Sequence, residues 1–574
     1  MGVILGPNEA DLQGLANHPP SNWMSRIAPR TDTWKTPPRS GHGLAHSHCA
    51  KEHTIVPQAR DRLDAMRLPY RLLASMASTR YLLLILGVVV TIALGARAIC
   101  GPFLIGGIWV RSPLTLESVF GVIFLALTIL GATSCRNLKQ GRITLFASGV
   151  VPLVVVLTIV SLGFIRNLND PFLSDDYILV NRASLDPSLI ASSFHTAGGD
   201  GSFRPIGSLY FGVIRTWAHL SPWKWHVCAL GVHLINCALL YLNTQALWSK
   251  TMLSCTAALL FGLHGTRPEV VTWTAGNFDL LACSFTLAAT LCVFRQVNKS
   301  GSYAPVALAL VFLIMAILSK ESAYAAPVVA LGFAMAGGRL RDRKVLAFLL
   351  SATLVCVIMF AYRWSLFGGP GGYIDTATGR PQILSLHFVS TAKAIFIRPW
   401  AIFLFPLNWE TPTDAWVAVA LLVSSGVFLY VFWIGGSIST RVVLPTLAMI
   451  IVSILPAIHL ALIGESVLGS RVLYLPSIGF CILCGHLVIS VSSPILQRMV
   501  LGALTICAGI VLLHNLKTWH AAAVLADEVC TTAAHAGLVT DPKHLPPAIL
   551  RGVFFFKNGF SECVTMKREQ WLQR

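Results

Sequence analysis

Long apolar runs separated by short polar connections occupy most of the chain between residues 81 and 515. A membrane-crossing helix needs about 20 apolar residues. About thirteen runs approach that length, with cores at 81–99, 115–133, 144–165, 226–247, 252–264, 279–294, 304–318, 322–337, 345–365, 415–434, 443–463, 474–491 and 499–514. Runs 252–264 and 304–318 are the shortest. The pattern predicts an all-α polytopic integral membrane protein with about 11 core transmembrane helices in 144–515, preceded by about 2 N-terminal ones in 81–143. Residues 1–80 hold Pro, Arg and His with no sustained apolar period, as expected of a disordered basic cytoplasmic tail. Residues 516–574 are expected to form a short extracytoplasmic tail.

The start of the chain adds two details. Met66 stands directly before a basic flank and is a second candidate for the first residue. The first apolar run begins near Tyr81 without a processing site, so no cleavable signal is expected. His42, His46, His48, Cys49 and His53 cluster in the tail, at spacings that match no standard zinc pattern.

Composition agrees with the pattern: 55% of residues are hydrophobic and 12% charged, and the mean hydropathy is +0.68, outside the range of a soluble domain. The formal charge of +18 would suit nucleic acid, anionic lipid or a topology signal. Placement decides among them. Basic residues gather in the N-terminal segment and in short connections, with no basic-aromatic domain to track a phosphate backbone, so nucleic acid is excluded as a partner. Arg67, Arg71 and Arg80, then Arg136, Lys139 and Arg142, then Arg339, Arg341, Arg343 and Lys344 mark the cytoplasmic face. Strict alternation then puts the connection after 165, those near 265–278, 366–414 and 464–473, and the tail past Thr518 outside. Most of the 14 cysteines lie in apolar runs and read as small buried hydrophobes, including Cys481 and Cys484, whose spacing lacks a redox setting.

The outside connections hold the unusual polar groups. Asn169-Asp-Pro-Phe-Leu-Ser-Asp-Asp-Tyr177 places the adjacent carboxylates Asp175 and Asp176 just past an apolar run. Charge beside a bilayer is costly to retain and so marks a functional site. Arg204, Arg267, Glu269, Asp279, Lys320, Glu321, Arg398, Glu465 and Arg471 follow on the same side. Arginine there runs against the positive-inside trend, which points to an anionic head group.

Several segments then carry a family likeness, in order: Ser174-Asp-Asp-Tyr177; Phe203-Arg-Pro-Ile206; His226 with His233-Leu-Ile-Asn236; Leu263-His264 and Arg267-Pro-Glu-Val-Val-Thr-Trp273; Gly276-Asn-Phe-Asp-Leu-Leu281; Leu318-Ser-Lys-Glu321; and Arg471-Val-Leu-Tyr-Leu-Pro-Ser-Ile-Gly479. Across 144–515 the chain resembles the GT-C class of membrane glycosyltransferases, most closely the O-mannosyltransferases with transmembrane and tetratricopeptide repeats. Two departures are visible. Asn277 stands where that family shows Arg, and no 34-residue helical repeats follow the last run.

The resemblance implies a GT-C-like fold and transfer of a sugar from a polyprenyl-phosphate donor at the extracytoplasmic face, here the periplasmic side of a bacterial inner membrane. It makes one carboxylate of Asp175 and Asp176 the catalytic one; adjacent side chains diverge, so one faces the acceptor and the other orients a backbone or a metal, and Asp176 is preferred as the base. A departing phosphate calls for the planar fork of arginine: Arg204, Arg267, Arg398 and Arg471 are the candidates, Arg471 with Tyr474 at the depth of a lipid phosphate. Glu269 and Asp279 form a second acidic locus, Glu465 is a further site candidate, and Lys320 and Glu321 are expected to pair with each other. Some members of the class bind a divalent cation. Oxygen ligands suit Mg or Mn, with Asp175, Asp176 and Glu269 as the ligand set. His233 and Asn236, three apart on one helical face, read as glue between helices. The expected partners are the lipid-linked donor, membrane lipids and an unnamed acceptor. A transporter or flippase of lipid-linked sugars is the alternative, though repeated halves with broken helices are not evident. A noncatalytic scaffold would leave the outer charges without purpose.

Overall fold

The computed structural model describes residues 57–105, 108–110, 112–133, 149–196, 202–295, 302–372, 387–435, 438–535, 549–550, 553–554 and 562–567. Met1–Leu68 and Pro69–Arg574 are separate units. The described part of the first is the start of a helix, and everything below concerns the second. The histidine cluster at 42–53 and the basic connection at 136–142 lie outside the described residues.

In chain order the helices are α1 (Pro57–Cys100), α2 (Pro113–Thr133), α3 (Val150–Phe164), α4 (Asp176–Arg182), α5 (Pro187–Ser193), α6 (Pro205–Ala218), α7 (Pro222–Trp248), α8 (Thr251–Leu263), α9 (Pro268–Val271) and α10 (Asn277–Arg295). There follow α11 (Ala304–Ser319), α12 (Ala326–Ala336), α13 (Arg343–Phe367), α14 (Phe388–Phe396), α15 (Arg398–Leu404), α16 (Ala415–Trp433), α17 (Thr440–Ile454), α18 (Ser477–Ser490) and α19 (Pro494–His535). Two antiparallel ribbons, Phe103–Ile105 with Ile108–Val110 and Ile549–Leu550 with Val553–Phe554, are the strands among the described residues. The protein is therefore all-α and polytopic. α1 starts at Pro57, so the last part of the expected irregular tail is helical.

Among the described residues nine helices are long and apolar enough to cross a membrane, and four shorter apolar helices accompany them. Together they fall on the thirteen runs read from the sequence. The short ones have a physical reason. α8 has 13 residues, about 20 Å at 1.5 Å per residue, against about 30 Å of hydrocarbon. Every residue from Leu253 to Leu263 except Cys255 is buried, and α8 packs against α18, α7 and α3. Irregular backbone is tolerated at membrane depth where protein encloses it. The segment after α8, expected as an outer loop, is likewise enclosed by protein: 264–276 is buried throughout.

Polar side chains tie the bundle across helices, as expected for His233 and Asn236. His233 joins Gly262 O at 3.1 Å and Tyr474 Oη at 2.7 Å. Asn236 donates to Leu280 O at 3.0 Å and accepts from Ser284 Oγ at 2.6 Å. At one end of the bundle Leu247 closes on Gly337 and Trp248 meets the ring of His486 at 5.0 Å; the basic stretch Arg339–Lys344 belongs to that end. The connections expected outside meet at the other. Asn515 donates to Gly265 O at 2.7 Å and Pro406 O at 2.6 Å. Trp409 N donates to Glu465 O at 2.9 Å, and Ser112 Oγ to Glu465 Oε1 at 2.5 Å.

α19 has 42 residues, about 63 Å long, so it continues well past the bilayer. In the stretch expected as a short tail, residues 516–535 prolong this helix and pack Ala522, Ala523 and Ala526 against Leu173.

Candidate active site

The acid pair sits on a tight turn built by its neighbours. Phe172 and Leu173 are buried, which anchors the loop, and Ser174 adopts φ 58°, a left-handed conformation that costs a non-glycine residue about 1–2 kcal/mol. Asp175 then precedes the first turn of α4. Asp176 is fully buried. Its Oδ2 accepts from Leu173 N at 3.3 Å and its Oδ1 from Ala275 N at 3.1 Å. Ala275 belongs to a 3-10 turn, Thr274–Gly276, in which a Cβ on Gly276 would overlap Val270 O. Asp176 thus rivets the acidic loop to the buried segment after α8.

Burial pushes the Asp176 carboxyl well above the ordinary carboxylate range, against the opposing pull of the two backbone N–H groups. A raised pKa suits a base, but both Asp176 oxygens are taken up by backbone donors. Asp175 is half-buried. Asp176 is thus engaged in holding the loop, and Asp175 is the more accessible carboxylate of the pair.

The four arginines have different fates. Arg267 is wholly buried, donating to Phe261 O at 2.6 Å and Ser477 Oγ at 2.6 Å. Its guanidinium lies 4.6 Å from the ring centres of both Phe261 and Tyr474. It is an internal strut, and no phosphate reaches it. Tyr474 is likewise buried, its hydroxyl held by His233 and by Asn236 at 3.2 Å, so it does not stand at the lipid phosphate. Both assignments are corrected by enclosure. Arg398 interacts with the carboxylates of Glu117 and Glu465, which counter its charge. Glu117, a lone acid in the apolar α2, accepts from Trp409 Nε1 at 2.5 Å.

Arg204 and Arg471 remain at the mouth of the site. Arg204 meets Glu321 through both edges, Nε to Oε2 at 3.2 Å and Nη2 to Oε1 at 2.8 Å. Phe278 lies beneath it at 5.2 Å. Arg471 lies over the Trp273 ring at 4.4 Å, with Nε 3.9 Å from Glu269 Oε1, beyond hydrogen-bond length. Its planar fork is not closed by that carboxylate.

Glu269 does something else. It accepts from Gly469 N at 2.9 Å, Arg471 N at 2.9 Å and Ser470 Oγ at 3.1 Å, capping the turn that presents Arg471. Burial raises its carboxyl above the usual range, opposed by Arg471 and these bonds. Asp279 pairs with Lys320, Oδ2 to Nζ at 2.5 Å. The expected Lys320–Glu321 pair is thus replaced by two cross-element pairs, and Glu269 and Asp279 serve separate structures in place of one acidic locus. Among the described residues no three His, Cys, Asp or Glu side chains gather as metal ligands. The oxygens of Asp176 and Glu269 accept from backbone N–H groups, and those of Glu269 also from the Ser470 hydroxyl.

Trp273 and Trp519, 6.1 Å apart between ring centres, carry the extension of α19 onto this surface. Asp170, also buried, accepts from Asn167 Nδ2 at 2.7 Å and meets His520 Nδ1 at 2.7 Å. These contacts were not read from the sequence, since only folding brings α19 back to the first outer loop. Glu117 was missed as well, although an acid within an apolar run is a signal that marks it. Asn277 accepts from Tyr210 Oη at 3.1 Å, a neutral contact at the position where the resembling family has a cation.

No family model matches the chain. Over 368 residues it is 26% identical to human protein O-mannosyl-transferase TMTC3, covering 56% of this chain and 39% of that one. Over 130 residues it is 27% identical to protein O-mannosyl-transferase Tmtc1 of Drosophila melanogaster, covering 23% of this chain and 15% of that one. Among solved structures, ArnT from Cupriavidus metallidurans bound to undecaprenyl phosphate aligns at 15% identity and TM-score 0.32, covering 73% of this chain and 85% of that one. By sequence, the chain is similar to the protein O-mannosyl-transferases over 56% of its length, and the match spans 39% of the human relative.

Proposed function

We propose that this protein is a membrane glycosyltransferase that moves a sugar from a polyprenyl-phosphate-linked donor to an acceptor hydroxyl or amine at the face opposite the Arg339–Lys344 connection. We take that face to be the periplasmic side of a bacterial inner membrane. The observation that carries the reading is the turn at Ser174, after which Asp175 stays half-buried while Asp176 pins the loop to the buried segment whose Glu269 caps the turn of Arg471. The similarity to O-mannosyl-transferases supports the same chemistry.

In this mechanism the acceptor oxygen attacks the anomeric carbon as Asp175 takes its proton, and the carbon–oxygen bond to phosphate breaks with its electron pair leaving on the polyprenyl phosphate. Arg471 receives that charge through two parallel N–H donors, with Arg204 as a second cation at the mouth. No step runs through a metal ion. Arg471→Lys keeps the charge and loses the fork, so the KM for donor is expected to rise about 10- to 100-fold, the equivalent of one charge-assisted hydrogen bond. An unchanged KM would remove Arg471 from the phosphate site.

Purified protein in detergent, given a polyprenyl-phosphate sugar and an acceptor extract, should liberate free polyprenyl phosphate. A flippase has nothing to do without two compartments, so intact lipid binding without release of the carrier would favour transport. The orientation has its own test. A cysteine at exposed Ser188 should react with an impermeant thiol reagent applied from outside, and one at exposed Arg341 should not; the opposite pattern would invert the topology.

A further inference from the structure

We infer that Cys530 and Cys563 form an oxidatively installed cross-link that secures α4, the helix opened by the acid pair, and that the site end of the bundle therefore faces an oxidising compartment. The consequence for catalysis rests on the proposed function; the bond itself does not.

Cys530 lies on the extension of α19 and Cys563 in the helical segment 562–567, and the two sulfurs are bonded. Both are fully buried in one apolar cluster with Phe172, Tyr177 and Val180 of the acidic loop and α4. Val564 and Met566 enter the same cluster. Two ion pairs flank it: Arg182 Nη2 to Glu562 Oε1 at 2.9 Å and Lys567 Nζ to Asp527 Oδ1 at 2.5 Å. Segment 562–567 therefore straps α4 onto α19.

The strap needs its covalent bond. A helix of six residues is far below the length that is stable alone, and an exposed ion pair such as that of Arg182, whose side chain is 71% accessible, adds about 0–1 kcal/mol. The other cysteines with described environments are free thiols, Cys481 and Cys484 included, and most lie on the membrane helices. The bonded pair sits instead at the end opposite the basic connection Arg339–Lys344, where alternation from that connection puts the exterior. Disulfides persist in oxidising compartments, so an independent chemical signal agrees with the charge signal. In forming the bond, the two thiols give up two protons and two electrons to the disulfide of a thiol–disulfide oxidoreductase, which is reduced to a dithiol.

The bond is tested on the full chain in its native membrane. The protein is denatured without reductant in N-ethylmaleimide, then reduced and treated with isotopically heavy N-ethylmaleimide before peptide mass analysis. Cys530 and Cys563 should carry only the heavy label and the other thiols the light one; light label on Cys530 or Cys563 overturns the inference. The strapping role is tested by hydrogen exchange after mild reduction and in Cys563→Ala. Exchange over α4 should accelerate about 30-fold or more, corresponding to loss of about 2 kcal/mol of cross-link stabilisation. Unchanged exchange over α4 once the bond is gone would overturn it. A protein that keeps the heavy label but transfers no sugar would overturn the transferase reading and leave the cross-link standing.

Discussion

Asp175→Asn is expected to slow sugar transfer by about 10²–10⁴-fold, the usual contribution of a positioned general base, with the melting temperature nearly unchanged. Asp176→Asn is expected to act through the fold instead. Both Asp176 oxygens accept backbone N–H groups, from Leu173 and Ala275, whereas Asn offers one acceptor and turns its amide donors toward the other N–H. An unmatched buried donor costs about 1–3 kcal/mol, so the melting temperature should fall, and transfer should fall because the loop loosens. Initial rates of release of polyprenyl phosphate, measured beside thermal melting in detergent, separate the two. If Asp175→Asn transfers at the native rate and Asp176→Asn melts normally yet is inactive, the roles are reversed.

The second large effect is on folding. Asp279, at the start of α10, and Lys320, at the end of α11, are paired with side chains 4% and 8% accessible. Removing one partner of a buried pair strands the other charge, at a cost of about 3–5 kcal/mol. Asp279→Ala should therefore deplete the monodisperse peak in size-exclusion chromatography. The double variant Asp279→Asn with Lys320→Met removes both charges and should recover most of it, since an apolar replacement of a buried pair is often neutral. Equal loss in the single and double variants would assign the defect to packing. The neighbouring Arg204–Glu321 pair is more accessible, at 12% and 23%, and its loss should cost less stability.

What the sequence determined is what depends on local composition. Thirteen apolar runs became the nine long and four short apolar helices, because a helix in lipid must satisfy its own backbone and shield it with apolar side chains. The acidic loop, and the helix-gluing roles of His233 and Asn236, were readable for the same reason: polar groups beside or within apolar runs are costly and need a partner. Which partner each one takes was decided by tertiary structure. Lys320 and Glu321 are neighbours in sequence, yet the extended backbone at Lys320 sends one to Asp279 and the other to Arg204. Arg267 and Arg471 look alike as arginines in outer connections; one is sealed between two aromatic rings and the other lies over Trp273. Asp175 and Asp176 are neighbours, yet Asp176 alone is enclosed and bonded to the backbone N–H groups of Leu173 and Ala275. Burial, hydrogen-bond partners and reach are properties of the surroundings, and those surroundings come from segments as distant as α19, which the chain order alone does not bring together.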